Sequence, residues 1–80
     1  MENDKKMKPE EEIERFFSRY SIEDRKYIER SSEYRLAIKR GKTVTALEIA
    51  SVLLSNSLHP REQDRDIRRI FKKEFPEISN

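Results

Sequence analysis

Residues 45–54 read Thr-Ala-Leu-Glu-Ile-Ala-Ser-Val-Leu-Leu, and this apolar stretch indicates how the other helices are arranged. Its apolar side chains cover most of the circumference of a helix. The polar stripe that remains consists of Glu48, Ser51 and Ser55. A short helix that is apolar on nearly every side is usually surrounded by other helices. The spacing Thr45-x-x-Glu48 is typical of a capping box at a helix start. We therefore predict a central helix over residues 46–57.

A second helix is predicted after this stretch, over residues 60–75. Leu58-His59-Pro60 separates the two helices, because the residue before a proline is biased away from helical dihedral angles. Pro76 ends the second helix, since proline cannot continue it. The apolar residues of this segment recur at helical spacing on one face: Ile67, Ile70, Phe71 and Phe75. We expect this face to pack on the central helix and Ile78 to fold back on it.

Two further helices are predicted before the central one. The first covers residues 9–20, where a proline and three glutamates suit a helix start. Its apolar stripe consists of Ile13, Phe16, Phe17 and Tyr20. The second covers residues 22–40, with Ser21 as its N-terminal cap and the only glycine, Gly41, at its end. Its buried face is predicted to contain Tyr27, Ile28, Tyr34 and Ile38.

The composition of the 80-residue chain is that of one folded domain. Charged residues make up 42% of it, but the net charge is only +2 and the apolar residues are periodic, which argues against disorder. We predict an all-α fold, a compact bundle of about four short helices, with residues 9–80 as a single helical domain and residues 1–8 as a flexible charged tail. The lack of a long apolar run and of a signal peptide predicts an intracellular, cytoplasmic protein without membrane contact.

The sequence offers few groups for catalysis or metal binding. It has no cysteine and one histidine, His59, which lies before a proline in a predicted connection. One histidine cannot complete a zinc site, and one glycine cannot build a loop that cradles phosphate. We therefore expect no enzyme activity, no cofactor, no metal and no small-molecule substrate, and we interpret His59 as a surface or loop-packing residue.

The helix predicted over residues 60–75 carries a basic stripe. Its members recur at i, i+4, i+7 and i+11: Arg61, Arg65, Arg68 and Lys72. Arg69 and Lys73 border the stripe, which lies away from the predicted core face. Such a helix could lie in or beside a major groove, with its cations on phosphates and base edges. The alternative is a solvated face with local salt bridges.

A second basic segment precedes the central helix. Four bases and no acid occur between residues 35 and 42, and three of them are candidate phosphate contacts: Lys39, Arg40 and Lys42. Cations at the end of a helix also complement its dipole, and this second interpretation stays open.

Three tyrosines lie seven residues apart, at Tyr20, Tyr27 and Tyr34. Such spacing could form a seam against a partner helix or a second copy of the chain. More often a stripe of this kind belongs to the core, with the hydroxyl groups reaching the surface. We therefore expect the tyrosines to be part of the core.

Residues 45–53 resemble the first helix of a helix-turn-helix unit, in which a capping threonine precedes Glu-Ile-Ala and a leucine follows. Residues 65–70, Arg-Asp-Ile-Arg-Arg-Ile, are similar to the recognition helix of that family. The resemblance covers residues 45–71 and implies that the helix over residues 60–75 enters the major groove. The connection from Leu54 to Pro60 is longer than the tight turn of the family and contains no glycine.

A shorter likeness competes for the same residues. Residues 41–49 read Gly-Lys-Thr-Val-Thr-Ala-Leu-Glu-Ile and are similar to the loop and final helix of the histone fold. That resemblance implies a dimer and phosphate contacts from Lys42 and Thr43. In the histone fold, however, this segment follows a long central helix, and residues 22–40 look too short and too polar for one.

These patterns favour a small DNA-binding, transcription-regulator-like module that uses the basic face of its last helix on double-stranded DNA. The alternative is a helical bundle that binds another protein or itself as a homodimer, with no nucleic-acid role. The near-balanced charge favours this alternative, since small DNA-binding domains are commonly more basic.

Overall fold

Five helices follow one another in residues 8–55 and 59–77, the part of the chain that the computed structural model describes. They are α1 (Pro9–Phe17), α2 (Ile22–Glu29), α3 (Ser32–Lys39), α4 (Thr43–Leu53) and α5 (Pro60–Glu74). No strand occurs among the described residues, and the predicted all-α class is confirmed. The prediction of about four helices is one short.

Helix α4 lies at the centre of the bundle and packs against α1, α3 and α5. Three of its side chains, Ala46, Ile49 and Ala50, are completely buried. The other helices and the end of α5 contribute the rest of the buried apolar core: Phe17, Ile28, Tyr34, Ala37, Ile67 and Phe75. The all-round apolar pattern of residues 45–54 therefore correctly indicated the central element.

The single helix predicted over residues 22–40 is wrong, because the chain breaks between α2 and α3. Ser31 caps the new helix, because its hydroxyl oxygen accepts a hydrogen bond from the backbone N–H of Tyr34 at 3.2 Å. Ile28 and Ala37 are nine residues apart, which in one continuous helix would place them about 180° apart around the axis. The break allows both of these side chains to be fully buried in the same core.

Helix α4 begins earlier than predicted, at Thr43 rather than at residue 46. Gly41, with a φ of 75°, ends α3 as expected. The Gly41 N–H donates to the carbonyl of Ile38 and the Lys42 N–H to that of Ala37, which is the Schellman pattern. The chain can therefore turn straight into α4 at Thr43. Thr45 is buried inside the helix and does not cap it, so the predicted capping box is wrong.

The remaining boundaries lie near their predicted positions. Helix α5 covers all but the last residue of its predicted range, and Ser21 caps α2 by accepting from the Asp24 N–H at 3.1 Å. Helix α1 ends three residues early, at Phe17. Helix α4 ends at Leu53, so the helical state predicted for residues 54 and 55 is wrong. Several predicted features lie outside the described residues: the tail over residues 1–7, the helical assignment of residues 56–57, the break at Leu58 and the fold-back of Ile78.

The three tyrosines do not form one buried stripe. Tyr34 is buried, but Tyr20 is 37% exposed and Tyr27 is 52% exposed. Tyr20 lies beyond the end of α1, and Tyr27 and Tyr34 lie in different helices, so the heptad spacing does not correspond to one helix face. The expectation that all three belong to the core is therefore wrong for Tyr20 and Tyr27.

Arg25 ties α1 to α2. Its guanidinium donates to both carboxylate oxygens of Glu14, at 3.1 and 2.8 Å, and to Glu29 at 3.1 Å. It also lies 5.1 Å from the centre of the Phe17 ring, within cation–π range. The hydrogen bonds and the positive charge of Arg25 lower the pKa of Glu14. Burial, with the nearby Glu29 charge, raises the pKa of the neighbouring Tyr34.

Removing the Ser31 cap should destabilise the domain. We expect Ser31→Ala to cost about 1 kcal/mol, because the Tyr34 N–H loses its acceptor. In a domain of this size this corresponds to a fall in Tm of about 4–8 °C, measured by circular dichroism. Ser32→Ala is the matched control, since Ser32 is exposed and its hydroxyl donates to the Glu33 carboxylate rather than capping the helix. Equal losses for the two variants would contradict a capping role for Ser31.

The Glu14–Arg25 pair should make stability depend on pH in the acidic range. Because folding lowers the pKa of Glu14, its contribution is present above the pKa of the unfolded chain and is lost as the pH falls through the folded pKa. The difference in Tm between wild type and Glu14→Gln should therefore shrink as the pH is lowered from about 5. Glu48→Gln, at an exposed position in the middle of α4, is the control. A difference for Glu14→Gln that stays constant with pH would contradict this contribution.

Candidate nucleic-acid interface

Five basic side chains lie side by side along α5. We call this surface the basic face; it consists of Arg61, Arg65, Arg68, Arg69 and Lys72, all exposed. At 3.6 residues per turn the five occupy one sector of about 100° around the helix axis, and no acidic residue falls within it. Asp64 and Glu62 flank the sector on either side. The stripe predicted from the sequence is therefore a continuous surface of one sign.

The basic face points away from the core, because α5 packs on the other helices through its opposite side. Helix α5 packs mainly on α4, and Ile67 is its one buried residue. Ile70 and Phe71 are half-buried beside it. The predicted core face of this helix is thus present. A helix held along one side leaves the other side free for a ligand.

The ion pairs of the basic face lie at its edges. Arg68 Nε is 3.2 Å from Asp64 Oδ2, with the two side chains 80% and 63% exposed. Arg69 pairs with Asp66 one turn earlier. Exposed pairs of this kind contribute little stability, so a competing anion can replace the carboxylate at small cost. Within the described residues, Arg61, Arg65 and Lys72 form no ion pair.

Two bases of the second predicted segment reach the C-terminal end of α5. Arg40 lies 3.3 Å from Glu77 and 5.7 Å from the centre of the Phe75 ring. Lys42 Nζ is 3.9 Å from Glu74 Oε1. The structure therefore brings Arg40 and Lys42 to the end of the basic helix, but each faces an acid that offsets its charge.

Lys39 belongs to a different surface. It lines a cavity of about 310 Å³ together with Ile13 and Tyr34, on the side of α3 that faces α1 and α2. Lys39 is therefore not brought together with the basic face. The prediction from the sequence could not separate it from Arg40, because neighbours in a helix point about 100° apart and only the packing of α3 decides which one reaches α5.

Two grooves border the exposed side of α4, and the sequence did not predict them. The α5 groove, between α4 and α5, has a volume of about 780 Å³; the α1 groove, between α4 and α1, has about 390 Å³. Val44, 68% exposed, lines both. Because α4 begins at Thr43, Val44 lies on the same side of the helix as Glu48 and Ser51. A helical wheel drawn from residue 43 could therefore have predicted this exposed side of α4.

The remaining candidate residue, His59, is exposed at the start of α5, where its backbone N–H donates to Glu62 at 3.1 Å. In residues 8–55 and 59–77 no three or more His, Cys, Asp or Glu side chains are grouped so that they could hold a metal ion. None of the helices in this part of the chain is long and apolar enough to cross a membrane.

No known protein family, curated protein or solved structure matches this chain.

Proposed function

We propose that this domain binds double-stranded DNA and that the basic face of α5 is the contact surface. One observation carries the proposal: five exposed cations form an acid-free sector on a helix that is packed along its other side only. Phosphate contacts by Lys and Arg supply much of the affinity of DNA-binding proteins. The domain would thus act as a small transcription-regulator-like module or an accessory factor.

The dimensions of α5 suit the major groove of B-DNA. From Arg61 to Lys72 the basic face spans about 16 Å at 1.5 Å per residue. A major groove about 12 Å wide admits one α-helix, whereas the major groove of A-form RNA is deep and narrow. Double-stranded DNA is therefore the preferred ligand in this proposal. Arg61, Arg65, Arg68 and Lys72 would contact phosphates or base edges, and Arg69 would assist.

Arg40 and Lys42 have a secondary role in the proposal. A phosphate near the C-terminal end of α5 would have to displace Glu77 from Arg40 or Glu74 from Lys42. Both pairs are in contact with solvent, although Glu74 is half-buried, so the exchange costs little. Lys39 faces the α1–α2 side and contributes only to the overall positive field.

The helix-turn-helix resemblance is part of this proposal and is supported by the packing of α4 against α5. Residues 54–59 separate these helices, whereas the turn of a helix-turn-helix unit has about three or four residues. The histone likeness has less support, because α3, the helix that precedes Gly41, has only 8 residues. DNA binding through α5 does not require either resemblance.

Replacing two central arginines of the basic face should weaken DNA binding without unfolding the domain. We expect Arg65→Ala with Arg68→Ala to lower affinity on the order of tenfold at about 50 mM salt, and to reduce the slope of log affinity against log salt by about 2, one for each lost phosphate contact. The measurement is fluorescence anisotropy with a labelled random-sequence duplex at about 50 and 200 mM salt.

The matched control for the double variant is Arg30→Ala with Arg35→Ala. Both of these arginines are exposed, in the region of α2 and α3, and the net charge changes equally. An equal loss in the two double variants would show general electrostatic attraction and contradict the assigned face. No binding by wild type at low salt would contradict the proposed function itself and favour a protein-interaction domain.

Removing the carboxylate at the edge of the basic face should strengthen binding. Asp64→Asn frees Arg68 from its ion pair and removes a negative charge that would lie close to the phosphates. We expect affinity at about 50 mM salt to rise by about two- to fivefold, since unscreened charges act within about one Debye length. Glu23→Gln makes the same change of net charge on α2. A gain no larger than that of Glu23→Gln would contradict close approach of DNA to Asp64.

A further inference from the structure

The exposed side of α4 forms a ridge between two grooves. The ridge consists of Val44, Glu48 and Ser51, and all three residues line both the α5 groove and the α1 groove. Val44 is 68% exposed, which makes it the most exposed of the large apolar residues among those described. Beside the ridge, Phe16 and Leu47 add apolar surface in the α1 groove, and Val52 and Ile70 add it in the α5 groove. The central helix is therefore covered on three sides and open on the fourth.

We propose that this open side of α4 is an interface with a second copy of the chain. A ridge with a groove beside it is self-complementary under a two-fold axis, because each copy can place its ridge in a groove of the other. Val44 and Ser51 have short side chains, which allow two α4 helices to approach closely. Glu48, between them, enters the α5 groove of the other copy, which contains the bases Arg69 and Lys73. Contact between the copies removes the exposed apolar atoms of Val44 from water.

The charges around the ridge select a second copy rather than a partner of one sign. The α1 groove contains two acids and two bases, Glu12, Glu48, Arg15 and Arg19. The α5 groove contains three of each: Glu48, Asp66, Glu74, Lys42, Arg69 and Lys73. A nucleic acid or an acidic peptide would meet as many repulsive as attractive charges here. An identical surface has the same balance of acids and bases, so two copies approach without net repulsion and the acids of one copy can face bases of the other.

The interface and the basic face occupy different surfaces of the domain. Arg69 lines the α5 groove, but the other four residues of the basic face line neither groove. A two-fold dimer through α4 therefore leaves most of the basic face free in both copies. The dimer interface does not depend on the proposed DNA binding, and it can be tested in the absence of DNA.

The first test is sedimentation velocity of wild type and two variants over a range of protein concentrations. We expect wild type to change from the 9.7 kDa monomer to a dimer of twice that mass, with a dissociation constant in the micromolar range. Val44→Glu should weaken the dimer by at least about tenfold, because two added carboxylates would be buried near the axis. Val44 is exposed in the single domain, so its replacement should leave the fold intact, which circular dichroism checks.

Ile22→Glu is the matched control, since Ile22 is 60% exposed on α2 and lines neither groove. We expect it to dimerise like wild type. A wild-type chain that stays monomeric at every concentration overturns the proposal and leaves the open side of α4 for a different protein. A wild-type dimer that Val44→Glu does not weaken, or that both variants weaken equally, also overturns it.

The absence of cysteine from the chain allows a second test. A single cysteine introduced at the ridge by Ser51→Cys can form a disulfide only with another copy. We expect mild oxidation to yield a covalent dimer, because residues near a two-fold axis come within the roughly 7 Å between Cα atoms that a disulfide requires. Ser32→Cys, at an exposed position outside both grooves, should yield at least about tenfold less. Equal yields from the two variants would contradict the assigned interface.

Discussion

Burial of the apolar side of α4 is the interaction on which the whole structure depends. Only 34% of the residues are hydrophobic, and α4 is the one helix with several completely buried side chains. Ala37 of α3 and Ala46 and Ala50 of α4 are all fully buried, in the two helices that share the most extensive contact. Small side chains let helices approach closely, so much apolar surface is removed from water even though few large residues are available.

This dependence on α4 explains why charged surfaces dominate the rest of the domain. Each surrounding helix buries only one or two side chains and packs a few more partly against the core. On α1 and α2 together seven acids accompany three bases, and the contacts of Arg25 with Glu14 and Glu29 hold the two helices together. On α5 the charges are sorted instead, with the basic face on one side and acids at its edges. Sorted charge is what separates a candidate binding surface from an ordinary solvated one.

The two candidate surfaces differ in what they can recognise. The basic face has one sign and follows a helix that is free along one side, which suits a polyanion. The open side of α4 has balanced charge and an apolar ridge, which suits a surface like itself. The two surfaces therefore correspond to the two alternatives that the sequence left open, a nucleic-acid module and a self-associating bundle.

Local sequence patterns were enough to predict the helical class, the central position of α4, the limits of α5 and the helix end at Gly41. These features follow from local rules: apolar periodicity, the restricted dihedral angles around proline, and the left-handed conformation that glycine adopts readily. The basic stripe of α5 was predictable for the same reason, since spacing along one helix settles which side chains share a side.

Four features depend on tertiary packing: the break at Ser31, the start of α4 at Thr43, the burial of one tyrosine out of three and the separation of Lys39 from Arg40. At each of these places the local sequence is compatible with two different structures. A helix continuing through residue 31 satisfies its own hydrogen bonds, but it would place Ile28 and Ala37 on opposite sides. Burial of both against one core selects the broken form, because burial depends on segments that are distant in the chain and that no local pattern describes.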